Sequence, residues 1–558
     1  MLNSLANIHS LNPLMNSLLR EINNYEIREN YILLNFDKES FKLELEYESS
    51  LYLHRFTGKI VSIKEQAREI SFEEFIKSLL KHFENDQQST TQLEQRILES
   101  RDNIQNIIKE KELQYKKLMD QSSLSFLEAE QLLLLGHNAH PCPKSKAQFS
   151  EKDQRLYSPE YSNKFPLKWL LIKKDKLFKN SARNFQEKNW NENFFIKDLQ
   201  QDIKSGYSPF PMHPWQFNIF KETELFKKYY DDETILVVDA LHQNCHFGAT
   251  SSLRSLYSEN YDYMLKFSLS LQITNSIRHL QEVEVVRGME VCDVMDTKHG
   301  RKFLEKNKNF KILNEPSYMA ILDGKNKLRI DTIVLIRENI ETQENIEQVV
   351  LSTINQPSIY QNKTFFDLRK VDKRKWFQLY LENILTPFLN AAMEFGILYG
   401  AHQQNIIVNL KNSYPESVTF RDCQGTGYTE LGFEKMKDHV SSLKRENGNI
   451  VSYEMAKTLV GYYLFINSTF STISALSTTD QELERELIST MITFLEDYQK
   501  KEFDTFLVDY FLENKSVKQK GNFLCCFQNI NENTQSDPTK IYTKLKNPFF
   551  RNTNERSH

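Results

Sequence analysis

No single hydrophobic core accommodates 558 residues, so this chain must divide into two to four lobes sharing a centre. Apolar periodicity says how each stretch folds. The N-terminal segment reads as an amphipathic helix with Leu14, Leu18, Leu19 and Ile22 on one side. From Tyr25 to about Ile63 the pattern favours strands: Ile32, Leu34 and Phe36 alternate with other residues, then Phe41, Leu43 and Leu45. Leu51-Tyr52-Leu53 and Ile60-Val61 flank an expected turn at Thr57-Gly58. Phe72 to Phe83 follows as a helix. A long polar helix is expected from Thr91 to Met119, opened by a Thr91–Glu94 capping box. Its stripe is Leu93, Ile97, Ile104, Ile108 and Leu113, and packing on its own domain is favoured over a coiled coil.

Residues from about Phe126 to Arg337 carry short strands between loops. Thr234 to Asp239 is expected as a buried strand. Leu322 to Ile336 reads as a hairpin about Asp323-Gly324, with Ile330, Ile333, Val334 and Leu335 on the return arm. Lys373 to about Tyr399 is strongly helical, with a kink expected at Pro387. After a strand pair near Ile406–Leu410 and Ser417–Phe420, the chain to about Asn514 is mainly helical, and the tail from Asn529 is expected to be loosely held.

A formal net charge of −4 provides no global basic field for nucleic acid or an anionic membrane, so any anion site must be a local cluster of cations. No apolar stretch approaches the ~18–20 residues of a membrane span, and no basic n-region opens the chain. The cysteines (Cys142, Cys245, Cys292, Cys423, Cys525 and Cys526) form no C-x-x-C pair, which fits a reducing cytoplasm.

Four stretches have compositions that core packing alone does not ask for. Gly136 to Lys144 (GHNAHPCPK) is a Pro-stiffened cationic loop; its H-x-x-H is a weak metal motif, but Lys144 and a protonatable His140 suit a carboxylate or phosphate. An ordinary rigid turn is the alternative. Met212 to Gln216 places His213 before Pro214, with Trp215 as a core anchor, and reads as structural. Thr250-Ser251-Ser252-Leu253-Arg254, then Lys266, then Thr274-Asn275-Ser276-Ile277-Arg278 combine hydroxyls with cations, as phosphate oxygens require; a solvated polar face would look the same. Between Leu265 and Ile273 an alternating strand puts Lys266 on the face opposite the apolar residues. Finally, Gly400 to Asn405 (GAHQQN) and Arg421 to Gly425 (RDCQG) end in small or polar residues, as cleft-facing segments do. Asp422 is a reasonable Mg²⁺ ligand, although an RD pair also serves as a simple ion pair. There is no Walker loop, no G-x-G-x-x-G and no kinase signature.

Taken in order, these stretches resemble the NRPS-independent siderophore synthetases of the aerobactin biosynthesis type. That family shows G-H-P-x-H-P-x-x-K, H-P-x-Q, T-S-S-x-R-T, K-L-x-(I/L) with I-T-N-x-I-R, E-A-H-x-Q-N and R-D-x-(E/Q)-G. Here they stand as GHNAHPCPK, HPWQ, TSSLRS, LKFSLSLQITNSIR, GAHQQN and RDCQG. The resemblance implies an α+β fold: a three-lobed cupped hand with mixed and antiparallel sheets and a largely helical palm. Its lobes would be a thumb-like 1–125, a fingers-like 126–340 with the ATP motifs, and a palm-like 341–558. It further implies ATP and Mg²⁺, adenylation of citrate or a related carboxylic acid, and capture of the acyl group by an amine, amino acid or hydroxyl, with release of AMP and pyrophosphate. A homodimer is also implied, with no nucleic-acid or membrane partner.

The resemblance places Ser252, Arg254, Lys266 and Arg278 on the phosphates and the carboxylate, with Thr274, Gln404, His140, Lys144 and Arg337 lining the nucleotide or acid pocket. Arg278, Lys266 and His402 would act at the reacting centre, and Asp422 with Asn405 would hold the metal. One departure matters most: Gly400 stands where the family has Glu, a change expected to weaken ATP or Mg²⁺ binding unless Glu394 or Gln403 compensates. The second reading is therefore a catalytically weakened, nucleotide- and carboxylate-binding accessory member.

Overall fold

A computed structural model describes residues 2–64, 66–83, 87–121, 123–185, 190–199, 202–238, 247–273, 276–359, 363–530 and 537–551. Its first unit is a five-stranded antiparallel sheet whose strands follow sequence order: Tyr25–Arg28, Tyr31–Phe36, Glu39–Tyr47, Arg55–Ile63 and Ala67–Glu69. Period-2 alternation buries Phe41, Leu43 and Leu45 in a core shared with the Leu2–Leu18 and Phe72–Lys81 helices. The turn expected at Thr57-Gly58 does not form; both residues lie inside the Arg55–Ile63 strand. Gly58 sits at φ +91°, and a Cβ there would come 2.8 Å from Ile8, so the strand irregularity lets the N-terminal helix approach.

The long helix runs Gln87–Met119 and packs on the first helix, not in a coiled coil. It begins before Thr91, which therefore caps nothing. Leu93, Ile97, Ile104 and Ile108 are buried, whereas Leu113 is 84% exposed and drops out of the stripe.

The central sheet has seven antiparallel strands, in the order Lys164–Phe165, Phe247–Ala249, Ser255–Tyr257, Tyr263–Phe267, Val334–Glu338, Ser317–Ile321 and Leu177–Ser181. The strand expected to reach Ile273 stops at Phe267. Leu269 and Leu271 stay buried in a loop that pairs back on Arg278 through Leu269 N to Arg278 O and Arg278 N to Leu271 O. The expected hairpin does pair Ser317–Ile321 with Val334–Glu338, but a single helical turn at Ile330–Thr332 interrupts the return arm and leaves Ile330 39% exposed. Ile235–Val238 is an edge strand beside Lys168–Lys173, so it is only half-buried where a buried strand was expected.

The C-terminal part combines helices with a four-stranded mixed sheet, in which Phe310–Ile312 lies parallel to Tyr414–Phe420. The expected long helix is Lys373–Tyr380, a widened turn at Leu381–Leu385, then Thr386–Met393. Pro387 has no N–H to donate, and Thr386 Oγ1 donates to Leu381 O at 2.8 Å within the widened turn. Tyr453–Ser477 is the one segment among the described residues long and apolar enough to cross a membrane, contrary to the sequence reading. Interspersed Ser, Thr and Asn hid its length, and 89% of its apolar window is buried inside the protein, as suits a core helix. The tail is also better held than expected: Tyr542–Lys546 pairs with Ser516–Lys520, and Phe549 is fully buried. Helices and largely antiparallel sheets make the fold α+β.

Candidate active site

The motif stretches converge on one cavity of about 380 Å³, lined by the Gly136–Lys144 loop, the Ser251–Arg254 turn, Ser276 and Arg278, residues 402–404 and Asp422. Most of its charge is paired behind the wall. Lys266 Nζ, 1% exposed, donates to Asp422 Oδ1 and to Gln424 Oε1 at 3.0 Å, with Glu315 Oε1 at 3.9 Å. Arg337, 2% exposed, donates to Glu315 Oε1 from Nε at 3.0 Å and from Nη2 at 2.5 Å, and reaches Asp422 Oδ1 at 3.1 Å. Asp422 holds the left-handed conformation (φ 73°, ψ 58°), which aspartate tolerates better than most residues and which starts the tight turn at Cys423–Gly425. Burial pushes its carboxyl up, but the charges of Lys266 and Arg337 overcome this and hold it well below the usual range. Burial lowers Lys266 despite the opposing pull of Asp422 and Glu315.

Arg254 and Arg278 are linked: Arg254 Nη1 donates to Arg278 O at 3.0 Å, and Arg278 Nη2 donates to Ile273 O at 2.8 Å. Burial lowers Arg254, against the opposing pull of Asp422. Behind the lining, buried Arg421 forms a bidentate pair with Glu130 (2.7 and 3.1 Å) and donates to Ser251 Oγ and Gln404 O, clamping two motif turns together. The RD dipeptide thus divides its roles, Arg421 making the buried ion pair and Asp422 facing the cavity. The sequence reading missed Glu130, one of two acids in the stretch Phe126–Leu135, of which Glu128 caps its own helix.

In the loop, Gly136 takes φ +80°, with Pro143 O only 3.1 Å from where a Cβ would stand. Lys144 Nζ donates to Leu133 O at 2.9 Å and Glu160 Oε1 at 2.6 Å, and Lys146 reaches both oxygens of Glu160 at 3.1 Å. Burial raises the Glu160 carboxyl, but the two lysines bring it down to about 2. His140 Nδ1 accepts from Cys142 N at 3.2 Å. Burial brings His402 down to about 4 and His137 to about 3, so both rings are neutral near pH 7. His213 caps the Pro214–Phe220 helix, and Gln216 bonds both Ser270 N and Ser270 Oγ, so HPWQ braces the loop ahead of Arg278.

The structure therefore brings Ser252, Arg254, Arg278, His140, Lys144, His402, Gln404 and Asp422 to the lining of one cavity. Lys266 and Arg337 form a layer behind Asp422. Asn405 is buried and donates to Gly400 O at 3.2 Å, outside the lining. Thr274 lies outside the described residues. Glu394 pairs with Lys306 at 2.6 Å away from the lining, whereas Gln403 does line it. A Cβ on Gly400 would meet Gly425 O at 3.3 Å. Among the described residues no group of three or more His, Cys, Asp or Glu could hold a metal ion. Asp422 and Glu160 are the lining carboxylates, and Glu160 is fully engaged by lysines.

The IucA / IucC family profile matches residues 125–354, and a profile described as a ferric iron reductase FhuF-like transporter matches residues 374–535. An N(2)-citryl-N(6)-acetyl-N(6)-hydroxylysine synthase from Vibrio mimicus is 31% identical, covering 98% of this chain and 96% of that protein. A spermidine-citrate ligase from Bacillus anthracis is 29% identical, covering 83% of this chain and 79% of that one. The fold matches the ATP-bound aerobactin synthetase IucA of Klebsiella pneumoniae with TM-score 0.89 at 24% identity, covering 98% of this chain and 100% of that chain. Identity at the level of the Vibrio protein across almost the whole length makes this chain a member of the IucA / IucC family, the NRPS-independent siderophore synthetases, and hence a ligase of siderophore biosynthesis.

Proposed function

We propose that the chain adenylates a carboxylate of citrate or a related polycarboxylic acid with ATP, and joins the acyl group to an amine or hydroxyl, releasing pyrophosphate and then AMP. The observation that carries this reading is the convergence of Ser252, Arg254, Arg278, His140 and Lys144 on one cavity, together with an Asp422 braced by two buried cations. Citrate is named in both relatives described above. Arg254 and Arg278 are placed to neutralise the triphosphate and the incoming carboxylate. Charge that builds at the α-phosphorus is met by donors already held in position, which lowers the barrier without reorganisation. His402, neutral near pH 7, stands at the reacting centre as a hydrogen-bonding partner.

A Mg²⁺ fits here only as an ion carried in with the nucleotide, because Asp422, whose Oδ1 already accepts from Lys266 and Arg337, would offer it a single carboxylate oxygen; when bound it would neutralise phosphate oxygens. Asn405 would act behind it, fixing the Gly400 turn. The division into lobes 1–125, 126–340 and 341–558 is part of the proposal, as is a reducing cytoplasm, where free Cys142 and Cys526, with sulfurs 3.4 Å apart, stay reduced.

Hydroxylamine trapping of the acyl-adenylate, with pyrophosphate release, tests the reading directly. Citrate-dependent hydroxamate supports it, and none with any di- or tricarboxylate overturns it. Gly400 favours one alternative, a nucleotide- and acid-binding accessory member. That alternative predicts ATP and citrate binding with turnover unmeasurable in the wild type and restored by Gly400→Glu.

A further inference from the structure

A second cavity, about 610 Å³, lies against the first and shares Gly136, His137, Ser352 and Gln403 as a common wall. None of the cationic motif residues that line the first cavity lines it. It is enclosed by the N-terminal helix, the start of the Arg55–Ile63 strand, the turn before His137, residues 352–359 and the Phe470–Ser477 helix. Exposed Glu46, Thr57 and Lys363 mark its mouth, and buried Asn16, His54, Ser352 and Asn355 form its floor.

Four buried polar atoms of that floor have no hydrogen-bond partner among the described residues: Asn16 Oδ1, His54 Nε2, Ser352 Oγ and Asn355 Oδ1. His54 Nδ1 accepts from Ser49 N at 3.2 Å, so the neutral ring carries its proton on Nε2 as a donor. Two acceptors and two potential donors are therefore left unsatisfied in one chamber. Unpaired buried polar groups cost about 1–3 kcal/mol each, and such groups clustered in a cavity are the mark of a ligand site.

The charged lining narrows the ligand. Half-buried Arg55 makes no hydrogen bond or ion pair among the described residues, in contrast to Lys266, Arg337, Arg421 and Lys144. Of the acids that feel its charge, exposed Glu46 at the mouth acts most strongly without a hydrogen bond or ion pair to it, and the others are engaged elsewhere: Glu484 by Ser49 and Ser50, Asp367 by Thr364 and Lys373. Lys363 adds a second cation, against one lining carboxylate, the exposed Glu46. A wall of that sign repels a polyamine, which carries only cations, and attracts a carboxylate. A guanidinium fork binds a carboxylate in two-point fashion.

We propose that this chamber holds the acyl acceptor, and that Arg55 selects an amine bearing a carboxylate, of the amino-acid class, over the same amine without it. The proposal rests on the adenylation reading, since it supplies that reading's second substrate. The acceptor's amino group points across the shared wall at His137 and Gln403 toward the acyl-adenylate. Its nitrogen lone pair forms the C–N bond, the acyl C–O bond to phosphate breaks with its electron pair leaving on AMP, and one N–H proton passes to the departing phosphate.

The test uses wild type, Arg55→Met and Arg55→Lys with ATP, citrate and amine pairs that differ only by a carboxylate. The pairs are L-lysine and cadaverine, L-ornithine and putrescine, and L-2,3-diaminopropanoate and ethylenediamine. Mass detection reads amide products, and hydroxylamine, too small to need the chamber, reads adenylate formation. The wild type is expected to favour the acid of at least one pair by tenfold or more in kcat/KM. Arg55→Met should erase that preference through KM, with hydroxamate yield unchanged, and Arg55→Lys should keep part of it. Equal use of both members of every pair, or a preference that survives Arg55→Met, overturns the proposal. Absence of hydroxamate in the wild type overturns adenylation instead. The chamber is then judged by calorimetric titration of the same pairs onto the protein alone. Tighter binding of an acid that Arg55→Met abolishes upholds it, and no such difference overturns it.

Discussion

The two cavities share a wall but treat charge in opposite ways. Around the motif cavity Lys266, Arg337, Arg421 and Lys144 are each neutralised by a carboxylate: Asp422, Glu315, Glu130 and Glu160 respectively. Around the neighbouring chamber Arg55 makes no hydrogen bond or ion pair, and four polar atoms are unsatisfied, among the described residues. A site that must receive a triphosphate is held open by ion pairs that fix its geometry before the ligand arrives, as preorganised electrostatic catalysis requires. A site that only positions an acceptor leaves its polar groups for that acceptor to satisfy.

Breaking the paired side should have the largest effect. Arg337→Met strands Glu315, whose side chain is wholly buried, beside Lys266 alone at 3.9 Å. Removing one partner of a buried pair costs about 3–5 kcal/mol, which urea unfolding would read as a lower midpoint at unchanged slope. The double variant Arg337→Met with Glu315→Gln should recover much of that loss, because no buried charge is left uncompensated. A single-variant loss below about 1 kcal/mol would mean that pairing does not hold this wall.

Arg278→Ala comes next and separates function from stability. Its guanidinium donates to the Ile273 carbonyl, and it lines the cavity beside Arg254. Hydroxamate formation should fall about 10²–10³-fold, equivalent to roughly 2.7–4 kcal/mol of transition-state stabilisation, while the unfolding midpoint moves little. Activity within threefold of wild type would remove Arg278 from the machinery.

This contrast explains what the sequence could and could not say. The convergence of Ser252, Arg254, Arg278, His402 and Asp422 on one cavity was legible because their hydroxyl- and cation-rich stretches stand in a recognisable order and spacing. Their buried partners were not: Glu130, Glu160 and Glu315 lie in ordinary apolar or polar stretches and gain meaning only when the fold delivers them to a cation. The second chamber was invisible for a related reason. Its walls come from His9 and Asn16 on the N-terminal helix and from His54, Asn355 and Ser471 far apart in sequence, with no motif to link them. In the fold, strong periodicity located the N-terminal sheet and the long helix. Errors fell where tertiary contact overrode local signals, as with Gly58 admitting Ile8 and Leu113 left in solvent.

A pH scan sharpens the comparison at intermediate magnitude, since neutral histidines sit in both cavities. Burial lowers His9, His54 and His402 to about 4 and His137 to about 3. Each ring takes up a proton near pH 6.5 when unfolded but stays neutral when folded. The unfolded state therefore binds more protons between these values, and stability falls as pH drops below 6.5. At pH 5.5 each histidine should cost on the order of 1 kcal/mol relative to pH 7.5. Glu160, brought to about 2, loses its contribution only as pH falls below about 4.5. Between 4.5 and 6.5 Glu21 and Glu290, raised by burial to about 8 and about 7, act with the opposite sign, so the histidines are read as the difference between wild type and variant. Thermal unfolding should show His54→Gln and His137→Gln each losing less stability than the wild type as pH falls from 7.5 to 5.5. Parallel wild-type and variant profiles would mean that these rings are protonated in the folded protein.

The smallest expected effect is the most discriminating. Arg55→Met should change unfolding free energy by no more than about 0.5 kcal/mol, because no carboxylate is left stranded when its guanidinium goes. The thioether retains part of the stem's packing, and Glu484 and Asp367 keep their own hydrogen-bond donors. The same substitution applied to Arg337 unfolds the wall of the first cavity, so the pair forms a matched experiment on one chemical change in two environments. If Arg55→Met destabilised the protein by several kcal/mol, Arg55 would be a structural partner of those acids and the two cavities would not differ in kind. If it leaves stability intact while altering which amines are accepted, the charge at Arg55 is held for a ligand.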